Sequence, residues 1–221
     1  MRTPVWYRVT AYGMSAVELA GFVIGVARWR HLGRGQRLVT LWFGAAALFD
    51  VLEFVATHYV HNAQVVGNFW LPVSVALALE ALAAYHPDRR ARKLYRGLTA
   101  AFVVTWLILL IGAGTLTGYS TYAGPSHALL ILAVAAIVLL RRSALGRGDV
   151  MRDPAFLVAA GLSGYAVAIV FESLIAQLWQ YDHQIYAGMY FSVGHVVTAA
   201  AECLMIRALF LPASPSGRTS G

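Results

Sequence analysis

The sequence predicts an all-α integral membrane protein of seven transmembrane helices, N-terminus outside and C-terminus inside, with a three-plus-one-plus-three internal repeat. Three observations predict it. The 221 residues are 59% hydrophobic and 12% charged, with mean hydropathy +0.65, whereas about a quarter of a soluble domain is charged. The cationic residues fall in alternate connections between apolar runs. The motif LGRG and a layout of intramembrane acids both occur twice.

The charge pattern sets the orientation. The first connection holds Arg28, Arg30, Arg34 and Arg37, the third Arg89, Arg90, Arg92, Lys93 and Arg96, and the fifth Arg141, Arg142, Arg147 and Arg152. The second, fourth and sixth hold none. With Arg207 and Arg218 at the C-terminal end, only Arg2 and Arg8 of the 17 cationic residues lie on the other side. Cytoplasmic loops carry the Lys and Arg excess, so an odd number of crossings follows. The net charge of +7 is then a record of topology and implies no nucleic-acid partner. The single cysteine, Cys203, can form neither an internal disulfide nor a thiolate metal site alone.

Taken in order, the first span covers residues 10–27 and carries Glu18 near its middle. That charge, with no small-residue cleavage site before ARWRHLGRGQR, argues against a cleaved signal peptide. The second span covers residues 39–60, with Asn62 and Gly67 marking the outer turn. The third covers 69–85, with Pro72 in its first turn, where a missing N–H costs little. After the basic segment HPDRRARKLYR, the fourth span, 98–116, has no ionisable residue and reads as a lipid-facing linker helix. The fifth runs from 124 to the Arg141–Arg142 pair, the sixth from 154 to 179, the seventh from 185 to 211. One domain, 1–211, precedes a Pro-, Ser- and Gly-rich tail, 212–221, expected to be disordered.

The repeat units are residues 10–85 and 124–211. LGRG stands at 32–35 and again at 145–148, and setting Glu80 against Glu202 aligns Phe69 with Phe191, Val75 with Val197, Ala78 with Ala200 and Leu82 with Leu204. Glu53 then falls opposite Glu172. Because the linker inverts the direction once more, the units are parallel repeats about an axis along the membrane normal.

The candidate chemistry is acidic. Glu18, Asp50, Glu53, Glu80, Glu172 and Glu202 all lie in apolar runs, where acids face a bundle interior or a hydrated path. On an ideal helix Asp50, Glu53, Thr57 and His61 form one polar stripe. His195, Thr198 and Glu202 form another, and Ser173, Gln177 and Gln180 follow Glu172. The candidate ligand- or proton-binding residues are therefore Asp50, Glu53, His61, Glu80, Glu172, His195, Glu202 and Glu18. The alternative role of such acids is interhelical hydrogen bonding, worth about 0.6 to 2 kcal/mol each.

Histidines 58, 61, 127, 183 and 195 are all assigned to the outer half. His58, His61, His183 and His195 are the metal or haem candidates, without any HExxH, ExxH or CxxC beside them. No cofactor is required. Tyr and Trp crowd the same side, as interfacial belts do, and an aromatic-lined outer pocket would suit an organic cation.

The three-plus-one-plus-three layout resembles that of SWEET and PQ-loop transporters in topology alone. No Pro-Gln dipeptide is present and spans one and six lack interior prolines, so no functional residue carries over. Seven-helix hydrolases and receptors of the ceramidase and adiponectin-receptor kind are similar in span count, but His195 is followed by VVTA, without their late His-x-x-x-His. Lys93, the only lysine, lies in a cytoplasmic connection and can form no retinal Schiff base. Walker, GxSxG and dinucleotide motifs are absent.

The function expected is a small-solute transporter, proton-coupled, in the plasma membrane of a bacterial-type cell, with an outward-facing polar site between the two units. It is not read as an enzyme. The alternatives are a seven-helix sensor acting through a partner on its basic face and a metal- or haem-dependent intramembrane enzyme subunit. Expected partners are the bilayer, a small-molecule or ion ligand, and a second copy or a cytoplasmic protein.

Overall fold

The computed structural model describes residues 5–61, 64–112, 123–144, 149–178 and 183–212, without the side chains of 5–8, 11, 60, 175–178 and 183–192. All regular structure among them is helical: α1 (Val5–Ala27), α2 (Arg34–Val55) continued by a π turn (Ala56–Val60), α3 (Gln64–Ala84), α4 (Arg89–Gly112), α5 (Ala123–Ala144), α6 (Pro154–Leu178) and α7 (His183–Phe210). Short 3-10 turns precede α2 and α6. Helices α2 to α7 are each long and apolar enough to cross a membrane, while the apolar stretch of α1, Tyr12–Ala27, is shorter. The chain is a helical multi-pass membrane protein.

Six helices close a ring. Each of α1–α2, α2–α3, α3–α5, α5–α6, α6–α7 and α7–α1 is a packed pair, and α4 lies outside against α3, touching α5 little. Without a hydrophobic force between helices in lipid, close approach depends on small residues. A side chain at Gly21 would meet the Phe43 ring at 2.8 Å, and one at Gly161 would meet the Ala201 carbonyl at 2.7 Å. Trp42, Phe43, Leu79, Ile131, Leu157 and Met205 fill the interior, while Leu107, Ile108 and Ile111 of α4 face outward.

The arginine-bearing ends hold the ring shut. Gln36 opens α2 by accepting the Gly33 N–H at 2.8 Å, and its amide donates to the carbonyls of Ala208 and Leu211 at 2.7 and 2.9 Å. Arg28 at the end of α1 donates to the Leu209 carbonyl at 3.0 Å. The orphan carbonyls at the end of α7 are thus satisfied by α1 and α2. Across the ring, Arg142 at the end of α5 donates to the Tyr85 carbonyl beyond α3 at 3.1 Å and pairs with Asp153 at 3.5 Å. Arg141 donates to His86 Nε2 at 2.6 Å. Burial first, and Arg141 beside it second, lower the His86 pKa.

Two elements depart from the sequence expectation. Helix α4 starts at Arg89, so the basic segment is its first turns rather than a loop. Helix α3 starts at Gln64, which puts Pro72 inside it instead of in the first turn. Proline cannot bond the carbonyl four residues back, and that carbonyl, Asn68 O, instead accepts the Trp106 indole N–H of α4 at 3.1 Å. The defect in α3 is thereby satisfied by the peripheral helix, as a bilayer requires.

Candidate functional site

Asp50 of α2 is the centre of the site. It faces inward because Ala46, Phe49, Asp50 and Glu53 share one helix face, while Leu48, Val51, Leu52 and Phe54 face outward. Ser15 of α1 donates a hydrogen bond to its carboxylate. Glu18 of α1, Glu53 of its own helix, and Glu202 and His195 of α7 all lie within electrostatic reach of it. Glu172 of α6 lies within reach of Glu53. Five acids and one histidine from four helices therefore meet.

The inner end of the cluster is the most enclosed. Glu202 is 0% exposed and Glu18 5%, about 12 to 14 Å in from the arginine-bearing helix ends at the helical rise. Both oxygens of Glu202 and one of Glu18 have no hydrogen bond of good geometry from a described residue, and the two carboxyls face each other. Thr198, 6% exposed, lies one turn before Glu202. Asp50, Glu53, Glu172 and His195 are half-buried, so the cluster opens as it rises away from the arginines.

Three residues expected in this site lie elsewhere. Glu80 is at the basic end, where Arg96 binds it at 2.5 Å and Arg34 at 3.3 Å. Its sequence counterpart Glu202 is buried with no cation against it among the described residues, so the aligned acids occupy different environments. His61 and His58 are exposed: the π turn Ala56–Val60 holds more residues per turn than an α-helix, which rotates Thr57, His58 and His61 off the stripe of Asp50 and Glu53. His61 ends the turn in the left-handed region at φ 55°, and His58 stacks on Phe54 at 5.6 Å. The side chain of His183 lies outside the described residues. Among those described, no group of three or more His, Cys, Asp or Glu has a metal-holding arrangement.

Sequence reasoning missed a second polar group, on α2, α3, α5 and α6. Trp70 Nε1 of α3 donates to the Tyr165 hydroxyl of α6 at 3.1 Å, and Trp42 Nε1 of α2 donates to Ser74 Oγ of α3 at 3.4 Å. Ser74 Oγ lies 3.0 Å from His127 Nε2 of α5. Trp42 stands edge-on to Tyr165 at 5.1 Å. His127 is 0% exposed: it lies near the start of α5, away from the arginine-bearing end, but inside the bundle rather than at its wet surface. The signal was a Ser and a His within apolar runs whose partners stand on other helices. A separate cavity of about 250 Å³, lined by Phe102, Thr105, Trp106, Ser126 and Leu130 among others, lies between α4 and α5.

Compared with protein-family models, with curated proteins and with solved structures, the chain finds no match.

Proposed function

We propose that the chain is a proton-coupled transporter of a small solute, with the cluster around Asp50 as its proton site. The observation that carries this reading is the meeting of five acids from α1, α2, α6 and α7 inside an apolar bundle, with no lysine or arginine among the described side chains there. An ionised Asp at mid-membrane costs about 2.5 to 3.5 kcal/mol. Several left unpaired would consume the 5 to 15 kcal/mol, in rough terms, by which a fold is stable. Carboxyls so placed hold protons until a cation or a change of access takes their place.

Seven crossings with the N-terminus outside, in a bacterial plasma membrane, complete the proposal, since every described arginine connection lies at one end of the bundle. The two-unit repeat is supported by the order of neighbours. Exchanging α1–α3 with α5–α7 turns the α7–α1 contact into α3–α5 and leaves α2 facing α6. It also turns the bond from Arg28 to the end of α7 into that from Arg142 to the end of α3. The solute would then pass between the units, from the open, Glu53–Glu172 end of the cluster.

The sensor reading has one observation of its own: Trp42, Trp70, Tyr165 and His127 fill the centre of the ring. A transporter must open that centre, and a sensor need not.

The test is proton entry into vesicles containing the purified chain and a trapped pH dye, on addition of amino acids, sugars or quaternary amines, with and without an imposed potential. Proton entry with a member of the panel, abolished in Asp50→Asn and Glu53→Gln, is the expected result. A chain that moves no protons under any of these conditions is not a proton-coupled transporter and leaves the sensor in front.

A further inference from the structure

Helix α4 is joined to its two neighbours unequally. Toward α3 it is fixed by Trp106, whose indole donates to the Asn68 carbonyl at 3.1 Å and stands edge-on to Phe69 at 5.5 Å. Toward α5 it leaves the cavity of about 250 Å³, walled by Leu98, Ala101 and Phe102 on one side and Leu130 on the other, with hydroxyls from Thr105 and Ser126. Ala101, Thr105 and Ser126 are exposed, so this cavity is a groove that faces the bilayer. An apolar strip continues from it toward the arginines. Leu94, Leu98, Ala101 and Thr105 share one face of α4, and Leu130, Ile137 and Arg141 share one face of α5. Leu94 is 60% and Ile137 52% exposed. Leu130 to Arg141 spans about 16 Å at the helical rise, close to half of a hydrocarbon core about 30 Å thick. That is the depth of one leaflet.

The strip ends on guanidinium groups that have no acid to meet. Arg34 and Arg96 pair with Glu80, Arg142 with Asp153 and Arg152 with Asp149. Arg141 instead donates to His86 Nε2 at 2.6 Å, and a ring nitrogen that accepts belongs to a neutral imidazole. Arg92 of α4 donates to the carbonyl of the same residue at 3.1 Å. Two cations, from α4 and α5, therefore converge on one uncharged residue, and no carboxylate among the described residues lies within ion-pair distance of either. Asp88, the acid nearest in sequence, is occupied in accepting the Arg90 N–H at 2.8 Å.

We propose that an anionic phospholipid, from the leaflet at the arginine-bearing end, binds between α4 and α5 with its phosphate against Arg141 and Arg92. One acyl chain runs over Leu94 and Ile137 and ends in the groove at Leu98, Ala101 and Leu130. The planar guanidinium fork matches phosphate oxygens, and a basic pocket between membrane helices is where such headgroups are held. A zwitterionic lipid brings its own cation and leaves the excess of positive charge in place, so the site selects for net negative charge. The bound lipid completes the α4–α5 interface that side chains leave open, and with Trp106 on the other side it holds α4 to the ring. The site stands whether or not the chain moves a solute.

The experiment uses the full chain in neutral detergent micelles, titrated with phosphatidylglycerol whose acyl chains carry bromine and, separately, with phosphatidylcholine carrying the same chains. Bromine quenches an indole it touches, and the part of the quenching lost in Trp106→Phe belongs to the groove. That part should saturate at a lower fraction of the anionic lipid than of the zwitterionic one. Arg141→Gln should weaken the anionic lipid about fivefold, the worth of one arginine near an anionic surface. Arg89→Gln, on the opposite face of α4, should leave it unchanged. Ala101→Phe fills the groove from an exposed position, and it should abolish the Trp106 quenching in a chain that melts as the wild type does. Equal quenching by the two lipids, equal losses in Arg141→Gln and Arg89→Gln, or quenching that survives Ala101→Phe would each overturn the site. Displacement of the lipid by glycerol phosphate, which has the phosphate without the chains, would assign the arginines to a free anion and overturn the lipid.

Discussion

Asp50 and Trp106 show how single residues divide the work in this bundle. Asp50 gathers Ser15, Glu18, Glu53, His195 and Glu202 around one carboxyl, so its replacement should cost function before it costs fold. Trp106 has the opposite bias, since its indole closes the hydrogen-bond gap that Pro72 leaves at Asn68. Trp106→Phe should destabilise the chain by about 0.6 to 1.7 kcal/mol, the range of interhelical bonds in bilayers. The same change made on Pro72→Ala should cost less, because alanine supplies the N–H that Asn68 lacks. Reversible unfolding in mixed micelles of the four variants measures that coupling, and equal costs in both backgrounds would rule the bond out as the cause. At the basic end, His86 has a lowered pKa, from burial and then Arg141. The fold therefore binds fewer protons there than the unfolded chain, and its contribution is present above about pH 6.5 and lost as pH falls below that. A melting temperature that declines on acidification in the wild type should decline less in His86→Gln.

At the scale of elements, the acids were legible in the sequence and their neighbourhood only partly so. Glu18, Asp50, Glu53, Glu172, His195 and Glu202 stand out because an apolar run makes any ionisable residue conspicuous, and the helical period turns Asp50 and Glu53 to one face. His61 and Thr57 were misplaced because the period assumes an unbroken helix and the π turn at Ala56–Val60 breaks it. Pro72 and the start of α4 were misplaced because hydropathy marks the lipid-immersed part of a helix and not its ends. The network of Trp42, Ser74, Tyr165 and His127 was not legible, since its four residues come from four helices and no spacing joins them. Packing between elements depends on glycines with unequal duties. Gly161→Val should break the α6–α7 interface against the Ala201 carbonyl, at about 1 to 3 kcal/mol or more. Gly97→Ala, with open space at its Cβ, should gain up to about 1 kcal/mol in α4.

For the whole molecule, the arginines tie the ring, and in the proposed topology they also set the side of the membrane. Arg28 and Arg142 fasten the ends of α7 and α3, and Arg34 and Arg96 neutralise Glu80, while the exposed remainder is what the proposed orientation rests on. In a Cys203→Ser background, a cysteine replacing His61 should react with an impermeant reagent on intact cells, and one replacing Arg90 should not. The reverse pattern would invert the topology and put the open end of the acid cluster on the inner side. Whether the buried carboxyls hold exchangeable protons is measured most directly by infrared difference spectroscopy of the purified chain between alkaline and acidic buffer. Protonated carboxyls absorb apart from carboxylates, and an apolar site sets their band apart from that of surface acids. The cluster around Asp50 should give a band of buried, protonated carboxyl that disappears on alkalinisation and is depleted in Glu202→Gln, Glu18→Gln and Asp50→Asn. A wild-type spectrum without that band, or one unchanged in all three variants, would mean that these acids hold no exchangeable proton and would contradict proton coupling at its source.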